Sequence, residues 1–400
     1  MGDAFDQARQ HFLDGLAHFQ ANALTEAEHC FESALALVPG RPSTLTNLGA
    51  TRVKLGKAGA ALPLLEQATA AEPGNLQAWS YLALAHADLG QYMEALACCD
   101  KALALDGAAA AIWLQQAQAL VRLGRSEQAL VSLERALALD ATLTEAWSHR
   151  GTLLREMQRL EEAAVCFEKA IALGADPQVH GYFLASVRGG AAPPAAPRAY
   201  VEYLFDDYAA EFQQHLVGLL HYRAHALLIQ RLADLGPRRF RSVLDLGCGT
   251  GLCGPLIQPR ADRVDGVDIS QGMLDQARAL GIYTTLVHAD VADYLHSASR
   301  RDDLVLAADV FIYVGDLTRV FAGVARVLQP GGLFCFTVEL AAEGQDLQLL
   351  PSLRYAHSET YIRRLASAHG LTVQLLLRAP LREDQQQPIE GLYFYLAAAS

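Results

Sequence analysis

The chain has 400 residues, 52% of them apolar and 19% charged, and a formal net charge of −12. That length suits two or three domains, and the apolar fraction supports buried cores and excludes a largely disordered chain. The acidic excess is shared by both halves, so neither carries the basic footprint a phosphate backbone needs, and nucleic acid is not an expected substrate.

From the N terminus a period of 34 residues runs through Ala34, Ala68, Ala102, Ala136 and Ala170, and again through Ala27, Ala61, Ala95, Ala129 and Ala163. Trp79, Trp113 and Trp147 mark one position of three successive repeats, and Leu45 takes it in the repeat before. Four residues further on stand Gly49, Ala83, Ala117 and Gly151, small side chains where two helices must approach closely. Gly56, Gly90 and Gly124 fall at the internal turns, with Asn22 at that point in the first repeat. The pattern resembles the tetratricopeptide repeat (TPR), with five repeats near 8–41, 42–75, 76–109, 110–143 and 144–177.

This resemblance implies an all-α solenoid whose concave face holds an extended peptide. In the family register that face draws on Thr46, Asn47, Lys54, Ser80, Tyr81, Leu84, Gln115, Gln118, Arg122, His149, Thr152 and Arg155. Thr46 and Ala50 stand where chaperone-binding relatives carry a carboxylate clamp, so that partner is not expected. The alternative is that the array only stiffens the chain or joins it into a homo-oligomer. Pro177–Arg188 reads as a closing helix, which makes 1–188 the solenoid. The Pro/Gly/Ala run within 189–198 reads as an interdomain linker.

The second domain, 199–400, opens on a helix with aromatics at Phe205, Tyr208 and Phe212 on one face. Next, Val243-Leu244-Asp245-Leu246 runs as an apolar strand into Gly247, Gly249 and Gly251, glycines at every second position that let backbone pass close to a ligand. A dinucleotide turn has the spacing G-x-G-x-x-G, whereas here an acid stands two residues ahead of G-x-G-x-G, which suits an ammonium better than a phosphate. Asp268 ends the second strand, where a carboxylate accepts from ribose hydroxyls. Ile269 and Met273 follow it, and Asp290 and Val291 follow strand three.

These residues resemble the first motifs of the class I S-adenosylmethionine (SAM) dependent methyltransferases, with a Rossmann-like seven-stranded α/β sheet. The resemblance implies a cofactor site built from Asp245, Gly247, Gly249, Gly251, Asp268, Ile269, Met273, Asp290, Val291 and Asp309, with S-adenosylhomocysteine (SAH) as product. Met273 is expected against the adenine, Asp290 on its amino group and Tyr208 beside the sulfonium. The whole chain resembles a bacterial group of TPR-containing methyltransferases.

Strand four, 303–309, leads to Asp309, Phe311, Tyr313 and Asp316 without the Asn-Pro-Pro-Tyr that holds planar amides or base amines. Strand five is expected to end at Glu339, followed by an insertion with Arg354, Tyr355, His357 and Ser358. Strands six and seven are read at 371–377 and 391–396. His357 and then His215 are the candidate bases, Tyr313 a third catalytic candidate, and Arg354 a partner for an acidic acceptor. A carboxylate acceptor needs no base.

Seven cysteines stand singly or as Cys98-Cys99, with no metal-ligand spacing, and read as small core residues of a reducing compartment. No metal is expected. The acidic start and the absence of a membrane-length apolar run point to a cytoplasmic protein without membrane contact. The reading reached is a methyltransferase whose array recruits a peptide, protein or carrier-borne acceptor. Its alternatives are a small-molecule O-methyltransferase that uses the array for assembly, a SAM-binding scaffold without turnover, and a dehydrogenase.

Overall fold

The computed structural model describes residues 2–190, 192–213, 222–236, 238–384 and 387–399. The chain divides into two compact units, Met1–Ala175 and Asp176–Ser400.

The first unit is five helix pairs: α1 (Gly2–Gln20) with α2 (Leu24–Leu37), α3 (Pro42–Lys54) with α4 (Ala58–Ala71), α5 (Leu76–Asp88) with α6 (Tyr92–Leu105), α7 (Ala110–Arg122) with α8 (Ser126–Leu139), and α9 (Thr144–Glu156) with α10 (Leu160–Ala172). Each pair is a repeat because small residues recur where its two helices touch. A Cβ on Gly49 would fall 2.5 Å from Leu65, and one on Gly151 2.6 Å from Phe167. Gly15, 34 residues before Gly49, faces Phe31 in the same way. The repeated tryptophans staple the turn ahead of their own helix. Trp79, Trp113 and Trp147 donate Nε1–H to the carbonyls of Pro73, Gly107 and Ala141 at 2.9, 3.0 and 2.9 Å.

The second unit begins at α11 (Pro177–Arg188), which Asp176 caps through Oδ1 to the N–H groups of Gln178 and Val179. This helix packs within the second unit. Tyr182 is fully buried among Val201, Leu353 and Tyr355, and its Oη donates to Leu353 O at 2.6 Å. The 189–198 segment is likewise no free linker. Ala196 N–H donates to Tyr313 O at 3.0 Å, Asp316 N–H to Pro194 O at 2.8 Å, and Tyr355 Oη to Pro193 O at 2.7 Å. Proline forbids helix here, yet an extended strap still offers carbonyls to its neighbours.

After α12 (Arg198–Gln213) and α13 (Ala224–Gln230) come β1 (Val243–Leu246), α14 (Gly254–Ile257), β2 (Val264–Asp268), α15 (Gln271–Ala279), β3 (Thr285–His288), α16 (Val291–Ser297), β4 (Asp302–Ala307), α17 (Thr318–Val327) and β5 (Leu328–Leu340). The chain closes with β6 (Leu347–Leu349), β7 (Tyr355–His357), α18 (Glu359–Ala368), β8 (Leu371–Asp384) and β9 (Gln387–Ala398). The order β3-β2-β1-β4-β5 is parallel, and β9 joins β5 antiparallel with β8 beyond it. Those are the seven expected strands. The insertion adds a β6–β7 hairpin at the end of β5. Helices cover both faces: Val324, Phe321 and Ile362 pack on Leu244, Leu246 and Phe336, while Leu228 and Ile257 pack on Val243, Val264 and Tyr393. Strands buried on both sides read as near-continuous apolar runs, as β4 does over Leu304–Ala307, whereas β1 is interrupted by the buried Asp245.

Candidate active site

The turn after β1 takes the backbone its glycines allow. Gly247, Gly249 and Gly251 have φ of 60°, 54° and 88°. A Cβ at Gly247 would strike Val310 and one at Gly251 would strike Leu280 and Tyr283, whereas one at Gly249 would meet nothing within 4 Å. Two glycines therefore serve packing, and Gly249 opens the surface where a ligand can approach.

Asp268 stands beside that opening. Its Oδ2 accepts from Gly249 N–H at 2.8 Å and its Oδ1 from Ser270 N–H at 2.9 Å, so the carboxylate is fixed with acceptor capacity to spare. Burial raises its pKa, against those backbone hydrogen bonds. Ser270 caps α15 by accepting from Met273 N–H at 3.1 Å. Asp206 of α12 in turn accepts from Ser270 Oγ at 2.5 Å and from Gly272 N–H at 3.3 Å. On the neighbouring residue, Phe205 sets its ring edge-on to Tyr313 at 5.3 Å. Two consecutive side chains of α12 thus pin this helix to the carboxylate end of β2 and to the segment after β4. Asp206→Ala is expected to raise the SAH dissociation rate and to increase amide exchange across 198–206. Unchanged exchange there would remove Asp206 from the account.

Asp245 is buried, and Tyr283 Oη donates to its Oδ2 at 2.7 Å. Desolvation raises its pKa from 3.8 to about 7, opposed by Tyr283 and reinforced by the charge of Asp268. An acid raised in the folded state contributes stability that is complete below its unfolded pKa and is lost as pH rises through the folded one. Between about pH 4 and 7 this group therefore weakens the fold progressively. Asp245→Asn is expected to flatten that part of the stability profile in urea titrations and, at pH 8, to bind SAH more weakly without loss of stability. A variant that keeps the slope would show that another group carries it. Burial likewise drives the thiol pKa of Cys248 and of Cys253 well upward, which leaves them as packing groups.

Asp290 caps α16, its Oδ1 accepting from Ala292 and Asp293 N–H at 2.8 and 3.0 Å. Val291 lies in the core beneath, Met273 is buried in the first turn of α15, and Ile269 is half-buried. Asp309 sits in the left-handed region at φ 61° after β4. Its N–H donates to Thr337 Oγ1 at 2.8 Å, and both its oxygens accept from Arg382 Nη1 at 2.9 and 3.0 Å. Arg382 also donates through Nη2 to Glu339, so β4, β5 and β8 meet in one buried ion triad. Asp309 is thus already engaged, and Arg382 is a residue the sequence reading missed.

His357 is corrected as a base. It is fully buried on β7, with Nε2–H donating to Gly315 O at 2.8 Å, its ring stacked on Tyr361 and its Nδ1 buried without a partner. Desolvation lowers its pKa to about 4, so it is neutral at physiological pH but sealed from any acceptor. His215 lies outside the described residues, as does the side chain of Tyr208. Tyr313 is half-buried; burial raises its pKa while Arg354 and Arg382 pull it down.

A profile of the family described as "Methyltransferase domain" matches residues 243–332, and profiles of the tetratricopeptide repeat match 76–107 and 114–180. Methyltransferase-like protein 27 of Homo sapiens is 32% identical over 168 residues, covering 38% of this chain and 68% of that protein. The chain belongs to the class I methyltransferase family. The chain is also similar to dimethylglycine N-methyltransferase of Parasynechococcus marenigrum, at 34% identity over 38% of this chain and 57% of the relative. To malonyl-[acyl-carrier protein] O-methyltransferase of Salmonella typhimurium the identity is 31%, over 42% and 65%. The chain thus spans under two thirds of the length of these last two relatives. Among solved structures, the N-methyltransferase NodS of Bradyrhizobium japonicum, in complex with SAH, is 18% identical, covers 44% of this chain and has a TM-score of 0.36. A TPR protein of Thermus thermophilus is 27% identical, covers 45% of this chain and has a TM-score of 0.39.

Proposed function

We propose that the second unit transfers methyl groups from SAM and that the TPR array brings to it a peptide, protein or carrier-borne acceptor. The observation that carries the cofactor assignment is the opening at Gly249 beside the pinned carboxylate of Asp268. SAM supplies an activated methyl whose displacement expels a neutral thioether. In this reading Asp268 would hold the ribose hydroxyls, Asp290 the adenine amine and Asp245 the ammonium. The chain's contribution to rate is then mostly positioning, with α12 excluding water. Tyr313 stays protonated at neutral pH and orients the acceptor by hydrogen bonding instead of removing a proton, which favours acceptors that need no base.

The name of the Salmonella relative gives a carrier-borne acceptor, which supports a macromolecular one here; that of the Parasynechococcus relative gives a small molecule, which supports the alternative. The two separate on incubating the full chain with methyl-tritiated SAM and a size-fractionated cell extract. Label in the macromolecular fraction is the expected result. Label confined to small molecules would leave the array an assembly role, and no label with SAH binding intact would leave a scaffold.

A further inference from the structure

In the first unit, α5, α6 and α7 enclose a cavity of about 100 Å³ whose apolar lining includes Ala83, Leu84, Ala87 and Ala119. Its polar lining is Tyr92 with Gln115, Gln118 and Arg122. The last three are spaced i, i+3 and i+7 along α7 and so share one helix face. Arg122 is held by Tyr92. Its Nε donates to Tyr92 Oη at 3.0 Å and its guanidinium carbon lies 5.3 Å from the ring centroid. It is the single charge in the lining and, among the described residues, it forms no ion pair. Gln115 uses its Oε1 to accept from Ser80 Oγ at 3.1 Å, which leaves its Nε2 as a donor. Gln118 uses its Nε2 to donate to Glu145 at 2.8 Å, which leaves its Oε1 as an acceptor.

The wall thus offers a donor and an acceptor three residues apart, a small cavity, and a guanidinium already fixed in direction. A backbone amide answers the two glutamines, since it carries one acceptor and one donor. The cavity has the volume of about three water molecules, enough for a branched aliphatic side chain. The preorganised arginine calls for a carboxylate, and a basic group would meet an uncompensated like charge there.

We propose that this groove binds an acidic extended peptide, with a valine- or leucine-sized side chain in the cavity and an adjacent carboxylate on Arg122. This rests on the reading of the array as a peptide recruiter.

The test is fluorescence anisotropy of the full chain with three labelled, end-blocked octapeptides that differ only at the centre: leucine–glutamate, leucine–glutamine and leucine–lysine. The glutamate peptide is expected to bind about tenfold more tightly than the glutamine peptide, about one charge-assisted contact. Arg122→Gln is expected to abolish that preference, and Ala87→Leu, which fills the cavity, to weaken all three peptides. Circular dichroism and SAH binding check that both variants are folded. Equal binding of glutamate and glutamine peptides, or a preference that survives Arg122→Gln, would overturn the proposal. Preferred binding of the lysine peptide, lost in Ala87→Leu, would overturn it while leaving peptide recruitment standing. If none of the three binds and SAH does, the proposal and the recruitment reading fall together and the methyltransferase remains.

Discussion

Replacing Arg382 by methionine is expected to destabilise the second unit by about 3–5 kcal/mol, the range for removing one partner of a buried ion pair. Arg382 is 2% exposed and answers two carboxylates, Asp309 through Nη1 and Glu339 through Nη2. Without it Glu339 stays buried and keeps only the weaker influence of Arg354, so its folded-state pKa rises further above the unfolded one. Burial already raises that of Glu339, and Arg382 is the chief influence holding it down. Raised acids contribute stability that is present at low pH and lost as pH rises through the folded pKa. The deficit should therefore be small near pH 5 and full at pH 8. Urea unfolding followed by circular dichroism measures it. Tryptophan fluorescence supplies the internal control, because all three tryptophans lie in the first unit and their transition is expected to stay in place. A deficit below about 1 kcal/mol, or one equal at both pH values, would show that the triad is not what holds β4, β5 and β8 together at this edge.

Asp268→Ala is expected to weaken SAH binding by at least about a hundredfold, with the protein still folded. Hydrogen bonds to a charged group are worth about 1.5–3 kcal/mol each, and the proposed site makes two of them to ribose. The side chain also fixes the glycine turn through Gly249 N–H and the start of α15 through Ser270 N–H. Asp268→Asn separates the two roles. The amide oxygen can keep one of these backbone contacts but loses the charge, so its affinity is expected to fall between those of wild type and the alanine variant. Equal affinity for SAH in all three proteins, measured by calorimetry, would move the cofactor away from β2.

What the sequence disclosed was the groups that carry charge or remove a side chain. Gly247, Gly249, Gly251 and Asp268 could be read because their spacing is local and their chemistry is narrow. The 34-residue period was legible for the same reason: each repeat restates the contact of one small residue with one large one, as at Gly49 and Leu65. What stayed hidden were the partners supplied from far along the chain. Asp245 meets Tyr283, Asp309 meets Arg382 across 73 positions, and Ser270 meets Asp206 across 64. A buried acid requires a donor, so the need was foreseeable and the identity was not. The strap at 193–197 misled in another way. Composition correctly excluded helix there, but proline and alanine carbonyls accept hydrogen bonds as well as any others, and the fold uses them. His357 looked like a base because histidine titrates near neutrality, and only its burial against Gly315 and Tyr361 removes it.

Calorimetric titration of SAH into the purified full chain, with NAD in a parallel titration, tests the cofactor assignment. Saturable binding of SAH at one site per chain, with no heat from NAD, is the predicted result. A folded protein that binds NAD, or that binds neither ligand, would contradict the assignment of the glycine turn and Asp268 to SAM.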